Sequence, residues 1–265
     1  MILKNENRDR FLDIQKISFE MDTGIGSKAR IGMIVLASDH IIENEFREII
    51  RIPGVALYQS RIPNSPIISS DSLKAMEDNI SKQAMVILPE IKLDVLGYCC
   101  TSASVVIGEN TVIKTMSDSR PEAKPTTPIT AALAAFEALQ IKKIGILTPY
   151  SNNINVLIRK YIQGQGYQVP AFGSFNEPND NHVAKISPKS IRNAVIEIGS
   201  RDEVEGVFIS CTNLRFINEA EAIERRIGKP ITSSNQAIIW HSLRLANIQE
   251  KIRGYGTLFQ KQLRV

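Results

Sequence analysis

Residues 93–102 read LDVLGYCCTS, an apolar run that ends in two cysteines and continues with a threonine and a serine. Residues 207–213 read VFISCTN and repeat that arrangement: an apolar run, a cysteine, a threonine and a small polar residue. A short apolar run of this kind predicts a buried strand, and polar groups at its end predict a site at the carboxyl edge of a parallel sheet. Two such runs predict an α/β fold with one thiol on each side of a shared site.

The duplication extends beyond the cysteines. Residues 30–35, RIGMIV, recur as residues 143–148, KIGILT, and residues 124–127, KPTT, recur as residues 229–232, KPIT. The offset from the first Ile-Gly pair to the second nearly equals the offset from the first Cys-Thr pair to the second, so both the order and the spacing agree. We therefore expect two copies of one α/β unit.

Length and composition bound the class of protein. The chain has 265 residues, of which 43% are hydrophobic and 23% are charged, as in globular proteins of one or two domains. The excess of Lys and Arg over Asp and Glu, 32 against 28, is too small to indicate nucleic-acid binding. No run reaches the roughly 20 apolar residues of a membrane span. Residues 1–22 lack the apolar core of a signal peptide, so we expect a cytoplasmic protein with reduced cysteines.

Strands and helices are predicted to alternate along the chain. Strands are expected at residues 31–37, 55–61, 93–98, 144–148 and 206–210. Helices are expected at residues 41–50, 70–88, 130–140, 152–163 and 235–247, and from residue 187 onward. Such alternation predicts parallel sheets covered by helices, with ligands at the carboxyl ends of the strands.

Five motifs resemble the aspartate/glutamate racemase superfamily. They are Cys-Thr-Ser at 100–102, Cys-Thr-Asn at 211–213, Thr-Pro-Tyr at 148–150, Ser-Ser-Asn-Gln-Ala at 233–237 and Gly-Tyr-Gly-Thr-Leu-Phe at 254–259. The similarity is greatest to the branch that holds maleate cis-trans isomerases and arylmalonate decarboxylases, and it covers roughly residues 28–260. Within that branch, residues 36–40 and 100–108 look most like the ectoine-utilisation proteins.

The resemblance implies two flavodoxin-like lobes with parallel sheets, related by a pseudo-twofold axis. The substrate is then expected between the lobes, without a cofactor. Residues 1–122 together with 232–265 are expected to form the first lobe, and residues 123–231 the second. The implied activity is that of an isomerase (a racemase, an epimerase or a cis-trans isomerase) acting on a small carboxylic or amino acid.

Cys100 and Cys211 are the expected catalytic residues. A free cysteine, with a pKa of about 8.5, needs oriented amides or helix ends to stabilise its thiolate. A racemase would use one thiol as base and the other as acid. A maleate isomerase-like enzyme would use one thiol as a covalent nucleophile and the other as a proton donor. Cys99 points away from Cys100 along the same strand, so we expect it in the core.

Eight further residues are expected to bind the substrate. Hydroxyl, amide and backbone N–H groups just beyond strand ends bind carboxylates and stabilise developing negative charge. The resemblance also implies that the tyrosine after the strand at 144–148 contacts a substrate carboxylate. The eight residues are Asp39, Thr101, Ser102, Thr127, Tyr150, Thr212, Asn213 and Asn235.

Some of these residues have a second, purely structural interpretation. Asp39 is equally suited to cap a helix that starts near residue 41, Thr127 and Asn235 are suited to capping, and Tyr150 to the edge of the core. Maleate isomerases carry an asparagine where the resemblance aligns Asp39. A carboxylate there would repel a second substrate carboxylate and favour a cationic group, which puts maleate in doubt and favours an amino-acid-like substrate.

No metal site is predicted. His40, His182 and His241 lack the spacing of metal ligands, and His241, next to a tryptophan, is expected to pack. Residues 176–185 form the most polar loop in the middle of the chain. That loop is either a plain surface loop or a lid that contributes a substrate ligand.

Two other functions remain open at this stage. One is decarboxylation of a malonate-like acid through a single thiol, and the other is a two-lobed protein that binds a small acid without turnover. The second thiol counts against both, because arylmalonate decarboxylases use one catalytic cysteine and binding alone needs none. The expected partner is a small-molecule carboxylate, with no nucleic acid and no membrane, and a homo-oligomer is left open.

Overall fold

Strands that are buried along their whole length need cover on both faces, which helices provide in parallel sheets. The computed structural model describes residues 14–264 and has this architecture. Two four-stranded sheets, each entirely parallel, are covered by helices. The α/β fold with two parallel sheets predicted from the sequence is confirmed.

The first half of the described chain forms one sheet and the helices that follow its strands. Its strands are β1 (Ala29–Leu36), β2 (Val55–Ile62), β3 (Val95–Cys99) and β4 (Lys124–Thr126). Its helices are α1 (Ile42–Ile49), α2 (Ser70–Lys74), α3 (Glu77–Met85), α4 (Thr101–Ile107), α5 (Glu109–Ser119) and α6 (Pro128–Leu139). The strands lie in the order β2-β1-β3-β4.

The second half repeats this pattern. Its strands are β5 (Lys143–Thr148), β6 (Gln168–Ser174), β7 (Gly206–Ile209) and β8 (Ile231–Ser233). Its helices are α7 (Asn152–Gly164), α8 (Asp180–Val183), α9 (Pro188–Gly199), α10 (Ala220–Ile227) and α11 (Ser234–Leu245), with 3-10 turns at Ile217–Glu219 and Thr257–Gln260. The order β6-β5-β7-β8 equals that of the first sheet, as a duplicated unit requires.

The third repeat predicted from the sequence is out of register by one residue. The Thr126 hydroxyl donates to the carbonyl of Thr127 at 3.4 Å, and the Thr232 hydroxyl donates to that of Ser233 at 3.3 Å. Thr127 caps α6 and Ser233 caps α11. The structural counterpart of Thr127 is therefore Ser233, whereas matching KPTT with KPIT pairs it with Thr232.

Several elements differ from those predicted. The helix expected over residues 70–88 is two helices, α2 and α3. Helix α4 was not predicted, because its sequence TSASVVI has no apolar stripe, and its first four residues are all buried. The short strands β4 and β8 also escaped prediction, since three residues carry too little periodicity to be recognised.

Helix α11 connects the two halves. It follows β8 of the second sheet, yet it packs against β3 of the first sheet and against α6. All residues from Ser234 to Arg244 are buried. Strand β4 lies in the first sheet although residues 124–126 fall in the segment expected for the second lobe, so the lobe boundaries stay a prediction. Within residues 14–264, no helix is both long and apolar enough to cross a membrane.

Candidate active site

Strand β3 brings Cys100 to the carboxyl edge of the first sheet. Cys100 is the N-cap of α4, and its Sγ accepts a hydrogen bond from the N–H of Ala103 at 3.4 Å. The Ser102 hydroxyl lies 3.7 Å from the same sulfur. The first turn of a helix has N–H groups without helical partners, so a thiol at this position faces donors that stabilise its negative form.

Strand β7 brings Cys211 to the corresponding edge of the second sheet. Its Sγ accepts from the N–H of Asn213 at 3.4 Å. Tyr150 lies just beyond the end of β5, and its hydroxyl interacts with the Cys211 thiol and with the Ser102 hydroxyl. Tyr150 therefore links the surroundings of the two thiols.

Both thiols line a single closed cavity. Its volume is about 20 Å³, which is room for roughly one water molecule. Among the described residues that line it, none is a lysine, an arginine or a histidine. The lining residues are Leu36, Asn64, Ser65, Ile68, Ser72, Leu73, Met76, Cys100, Thr101, Ser102, Tyr150, Asp180, Cys211 and Thr212.

Both thiols are held in the protonated form while the cavity is closed. Burial raises the pKa of Cys100 to about 12, although the Ala103 N–H and the Ser102 hydroxyl act in the opposite direction. Burial also raises the pKa of Cys211 well above its usual value, against the lowering effect of Tyr150. Each thiol is thus ready to donate a proton, and a basic thiolate requires a further change at the site.

Two loops close the cavity, and we refer to them as the lid loops. They are residues 63–69, which follow β2, and residues 175–180, which follow β6 and end at the first residue of α8. They meet in an antiparallel bridge between Ile67 and Asn179. Because β2 and β6 hold the same place in their sheets, the loops are counterparts that approach from opposite halves.

Reciprocal hydrogen bonds flank this bridge. The N–H of Asp180 donates to the carbonyl of Pro66 at 2.7 Å, and the N–H of Ile68 donates to that of Pro178 at 2.8 Å. One sequence offset relates residues 66 and 178, 67 and 179, and 68 and 180. This offset lies between the offset of the two Ile-Gly pairs and that of the two Cys-Thr pairs. Ile67 therefore faces its equivalent Asn179, and a twofold axis through this bridge relates the Asp180–Pro66 bond to the Ile68–Pro178 bond.

Asp180 is the functional candidate that sequence reasoning missed. It is only 4% exposed and lines the cavity, and its carboxylate accepts a hydrogen bond from the Ser38 hydroxyl. Of the two interpretations of residues 176–185, the plain surface loop is wrong for this residue. In the sequence, Asp180 occupies the position in the second copy of the repeat that Ile68 occupies in the first. This correspondence could have identified Asp180, but only if the register of the repeat in this segment were already known.

A family model for arylmalonate decarboxylase matches residues 67–259, which include both thiols, the second lid loop and residues 67–69 of the first. The chain belongs to the arylmalonate decarboxylase family. A maleate isomerase of Pseudomonas putida is 26% identical over 246 residues, covering 86% of this chain and 96% of that protein. The arylmalonate decarboxylase of Bordetella bronchiseptica is 25% identical over 138 residues, covering 51% and 58% of the two chains.

A solved structure of this branch has the same fold. A variant of the maleate cis-trans isomerase of Nocardia farcinica, with a covalently bound succinylcysteine intermediate, superposes with a TM-score of 0.80 at 19% identity. The superposition covers 88% of this chain and 98% of that one. At 19% identity, this superposition shows that the two proteins share a fold.

In this member of the arylmalonate decarboxylase family, Asp39 lies beside the cavity and does not line it. The N-cap of α1 is Ile41, but Oδ1 of Asp39 accepts from the N–H groups of Ile41 at 2.7 Å and Ile42 at 3.0 Å and so has a capping role at the start of this helix. Burial raises the pKa of Asp39 to about 6. Its buried Oδ2 makes no hydrogen bond within the described residues, although the Thr212 hydroxyl is near enough to lower the pKa.

Two other residues that were predicted to bind substrate, Thr127 and Asn235, form hydrogen bonds outside the cavity. Thr127 accepts from the N–H of Thr130 at 3.2 Å as the cap of α6. Asn235 donates to Oε2 of Glu45 at 2.7 Å and to the carbonyl of Thr212 at 2.8 Å. Burial raises the pKa of that glutamate to about 7. Neither Thr127 nor Asn235 lines the cavity, so a role in substrate binding stays a prediction for both.

Asn213 joins a lid loop to the sheet edge. Its side-chain nitrogen donates to the carbonyls of Ser38 at 3.2 Å and Asp180 at 2.9 Å, and its oxygen accepts from the N–H of His40 at 2.9 Å. Because these bonds use its amide fully, Asn213 positions the wall of the cavity and is not part of the lining.

Cys99 and His241 are packed in the core and do not line the cavity. Cys99 is fully buried with its Sγ 3.4 Å from the sulfur of Met33, and His241 bonds to the Thr126 hydroxyl at 2.8 Å and stacks on Trp240. These positions agree with the sequence predictions. Within residues 14–264, no group of three or more His, Cys, Asp or Glu side chains has the arrangement of a metal site.

Proposed function

We propose that this protein is a cofactor-independent isomerase that acts on a small carboxylic or amino acid through Cys100 and Cys211. The observation that carries the proposal is that both thiols line one closed cavity, each at the carboxyl end of an equivalent strand. A planar carbon placed between them has one thiol near each face, which is the geometry that two-base proton transfer requires.

Racemisation or epimerisation then proceeds in two proton transfers. The thiolate of one cysteine takes the proton from the carbon beside the substrate carboxylate, and the electron pair of the broken C–H bond spreads into that carboxylate. The thiol of the other cysteine donates its proton to the same carbon from the opposite face. The substrate keeps its atom count, and the two sulfurs exchange their protonation states.

Cis-trans isomerisation would use the same pair differently. One thiolate adds to the double bond, and the opposite thiol protonates the adjacent carbon. The new single bond rotates, and the second sulfur then removes that proton while the first sulfur leaves. The succinylcysteine in the Nocardia farcinica maleate isomerase is an adduct of this kind in that enzyme, which supports the reaction as a candidate here.

Hydroxyl groups of the lining would bind the substrate carboxylate. Thr101, Ser102, Tyr150 and Thr212 all line the cavity, and each carries a hydroxyl. Preorganised donors of this kind stabilise negative charge that develops during proton abstraction, and their effect is large in a closed, water-poor site. Asp39 and Asn213 stand directly behind this wall and would act by positioning it.

Decarboxylation of a malonate-like acid is the second candidate. The family model and the Bordetella bronchiseptica relative favour it. The presence of a thiol on both sides of the cavity favours the isomerase instead, because decarboxylation needs one proton donor only. The likeness to ectoine-utilisation proteins remains a proposal about the natural substrate, and a cytoplasmic location remains a proposal as well.

The test is proton exchange in D2O followed by NMR. A panel of small amino acids, dicarboxylic acids and malonates would be incubated with the protein and with Cys100→Ala, Cys211→Ala and Cys99→Ala. Cys99 is the matched control, since it is a buried thiol on the same strand that lies outside the cavity. We expect exchange or isomerisation to fall by at least about 1,000-fold in each cavity variant and to persist in the control.

Other outcomes would identify the alternatives. Release of carbon dioxide that survives the loss of one cavity thiol would establish a one-thiol decarboxylase. Saturable binding of an acid without exchange, isomerisation or carbon dioxide release would establish a binding protein and overturn the proposal.

A further inference from the structure

The cavity departs from pseudo-symmetry at the lid. Ile68 and Asp180 are equivalent residues of the two halves, and their N–H groups make the reciprocal bonds between the lid loops. Both line the cavity. One is apolar and the other carries a carboxyl group, so one side of the cavity is acidic while the equivalent side is not.

Neutral groups hold the carboxylate of Asp180 in place. The Ser38 hydroxyl donates to Oδ2 of Asp180, and Asn64 donates in turn to that hydroxyl at 2.7 Å. Asn213 donates to the Asp180 carbonyl at 2.9 Å. The described residues supply no salt bridge to Asp180, although residues of both halves fix its position.

Burial raises the pKa of the Asp180 carboxyl group, and no described residue of the cavity lining supplies a countercharge; His40, which lies outside the lining, acts in the opposite direction. The residue is 4% exposed, and none of the described lining residues is basic. A second carboxyl group, that of Asp39, lies close enough to interact with it and has an unpartnered, buried Oδ2. Burying a carboxylate without a countercharge is costly, so a ligand that brings a cation into this cavity gains free energy that a neutral or anionic ligand does not.

We propose that Asp180 is the specificity-determining residue of this site and binds a protonated amine of the substrate. The substrate is then a small acid with one cationic nitrogen, and dicarboxylates that lack an amine are disfavoured. This inference rests on the proposed function, since it assumes that the cavity of the two thiols is where substrate binds. The hydroxyls of Tyr150 and Ser102, which interact with each other, remain for the substrate carboxylate.

The same contact provides a way to activate the thiols. Burial is the largest cause of the raised pKa of Cys100 and of Cys211, and the negative charge of Asp180 raises both further. An ammonium group beside Asp180 offsets that charge, which favours release of one thiol proton to solvent before the lid loops close. Thiolate forms preferentially when the correct substrate is bound, and the other thiol keeps its proton for donation.

Binding and turnover of matched acids test the inference. Calorimetric titration of Cys100→Ala protein with aspartate and succinate, glutamate and glutarate, and 2-aminobutyrate and butyrate measures the preference for an amine without turnover. Maleate serves as the unsaturated dicarboxylate. The same titrations with Asp180→Asn added remove the charge and retain an acceptor for the Ser38 hydroxyl.

We expect tighter binding of the amine-bearing acid in at least one pair. Asp180→Asn should weaken that binding by roughly 100-fold and leave the acid without the amine unchanged or improved. Glu177→Gln is the control, because Glu177 is an acid of the same lid loop that lies outside the cavity and accepts from the Asn179 N–H through an oxygen that glutamine keeps. It should change neither affinity by more than about twofold.

Two results would overturn the inference. One is a loss of affinity in Asp180→Asn that is equal for both members of each pair, which indicates a structural role only. The other is thiol-dependent turnover only of dicarboxylates that lack an amine, which leaves the proposed function standing. An amine preference that depends on Asp180, without exchange in any wild-type reaction, would support the inference and contradict the isomerase.

Discussion

Cys99, Cys100 and Cys211 are all hidden from solvent, and their neighbours set them apart. The Sγ of Cys99 lies against the sulfur of Met33, whereas the sulfurs of the other two accept backbone N–H groups. An apolar contact leaves a thiol inert, whereas N–H donors stabilise a thiolate. Burial alone therefore does not distinguish the candidate catalytic cysteines from Cys99, whereas the N–H donors do.

Asp39 makes the stability of the protein depend on pH. Its folded-state pKa of about 6 lies above the ordinary value of 3.8, so the folded state binds a proton more tightly than the unfolded state. The stability it contributes is fully present below about pH 3.8 and is lost as the pH rises through 6. Asp39→Asn keeps an oxygen for the cap and cannot ionise.

We expect Asp39→Asn to raise the free energy of unfolding at pH 8 by on the order of 2–3 kcal/mol, with little difference at pH 4. Urea unfolding at both pH values measures this. Asp71→Asn, an exposed carboxylate in the first turn of α2, should change stability by less than about 0.5 kcal/mol. Equal stabilities of wild type and Asp39→Asn at pH 8 would contradict the burial penalty.

At the scale of elements, we expect the lid loops to control access to the thiols. The closed cavity has room for about one water molecule, so a small acid enters only if the loops separate. The bridge between Ile67 and Asn179 lies at their junction. Residues that face each other in an antiparallel pair have Cα atoms about 4.5–5.5 Å apart, which is within the range of a disulfide.

A disulfide formed in Ile67→Cys/Asn179→Cys should lock the site. In the oxidised protein we expect alkylation of Cys100 and Cys211 by iodoacetamide, followed by mass spectrometry, to slow by at least about 10-fold, because reagent entry requires the loops to open. Adding dithiothreitol to the same sample should restore the rate.

The single variant Ile67→Cys separates the lock from the substitution itself. In this variant, the rate at which the two cavity thiols are alkylated should be the same in oxidising buffer as in reducing buffer. If the double variant also reacts equally fast in both buffers, the lid loops do not govern entry.

At the scale of the whole molecule, α11 makes the two halves depend on each other. It is buried from Ser234 to Arg244 and approaches β3 so closely that a Cβ on Gly97 would lie 3.2 Å from Ile238. Loss of either half exposes this helix. We therefore expect the described chain to unfold in one cooperative step, although chains of this length often show intermediates.

The single tryptophan reports on this helix. Trp240 is fully buried on α11, so urea unfolding followed by its fluorescence should coincide with far-ultraviolet circular dichroism. Gly145→Ala lies in β5, where a Cβ would be 2.5 Å from Ile198, and should destabilise the protein by about 1–3 kcal/mol. Both curves should shift equally in that variant. A fluorescence curve that stays in place would show that the halves unfold separately.

The sequence by itself predicted five of the eight described strands (β1, β2, β3, β5 and β7) and the catalytic candidates. Strand and helix periodicity, together with a repeat of nearly constant spacing, predicted the two parallel sheets. Cys100, Thr101, Ser102, Tyr150, Cys211 and Thr212 line the cavity because each closely follows a strand end, and strand ends are recognisable from local pattern. Thr127 and Asn235 also lie at strand ends, but α6 and Glu45 engage their side chains.

Only the tertiary structure decided how the halves face each other. The lid contacts are related by an axis on which Ile67 faces its equivalent Asn179, and Asp180 joins the thiols in the cavity lining from the start of α8, a four-residue helix too short to show periodicity. Contacts of this kind depend on the relative placement of two sheets, which local periodicity does not encode. The thiols were therefore predictable from the sequence, and the carboxylate that faces them was not.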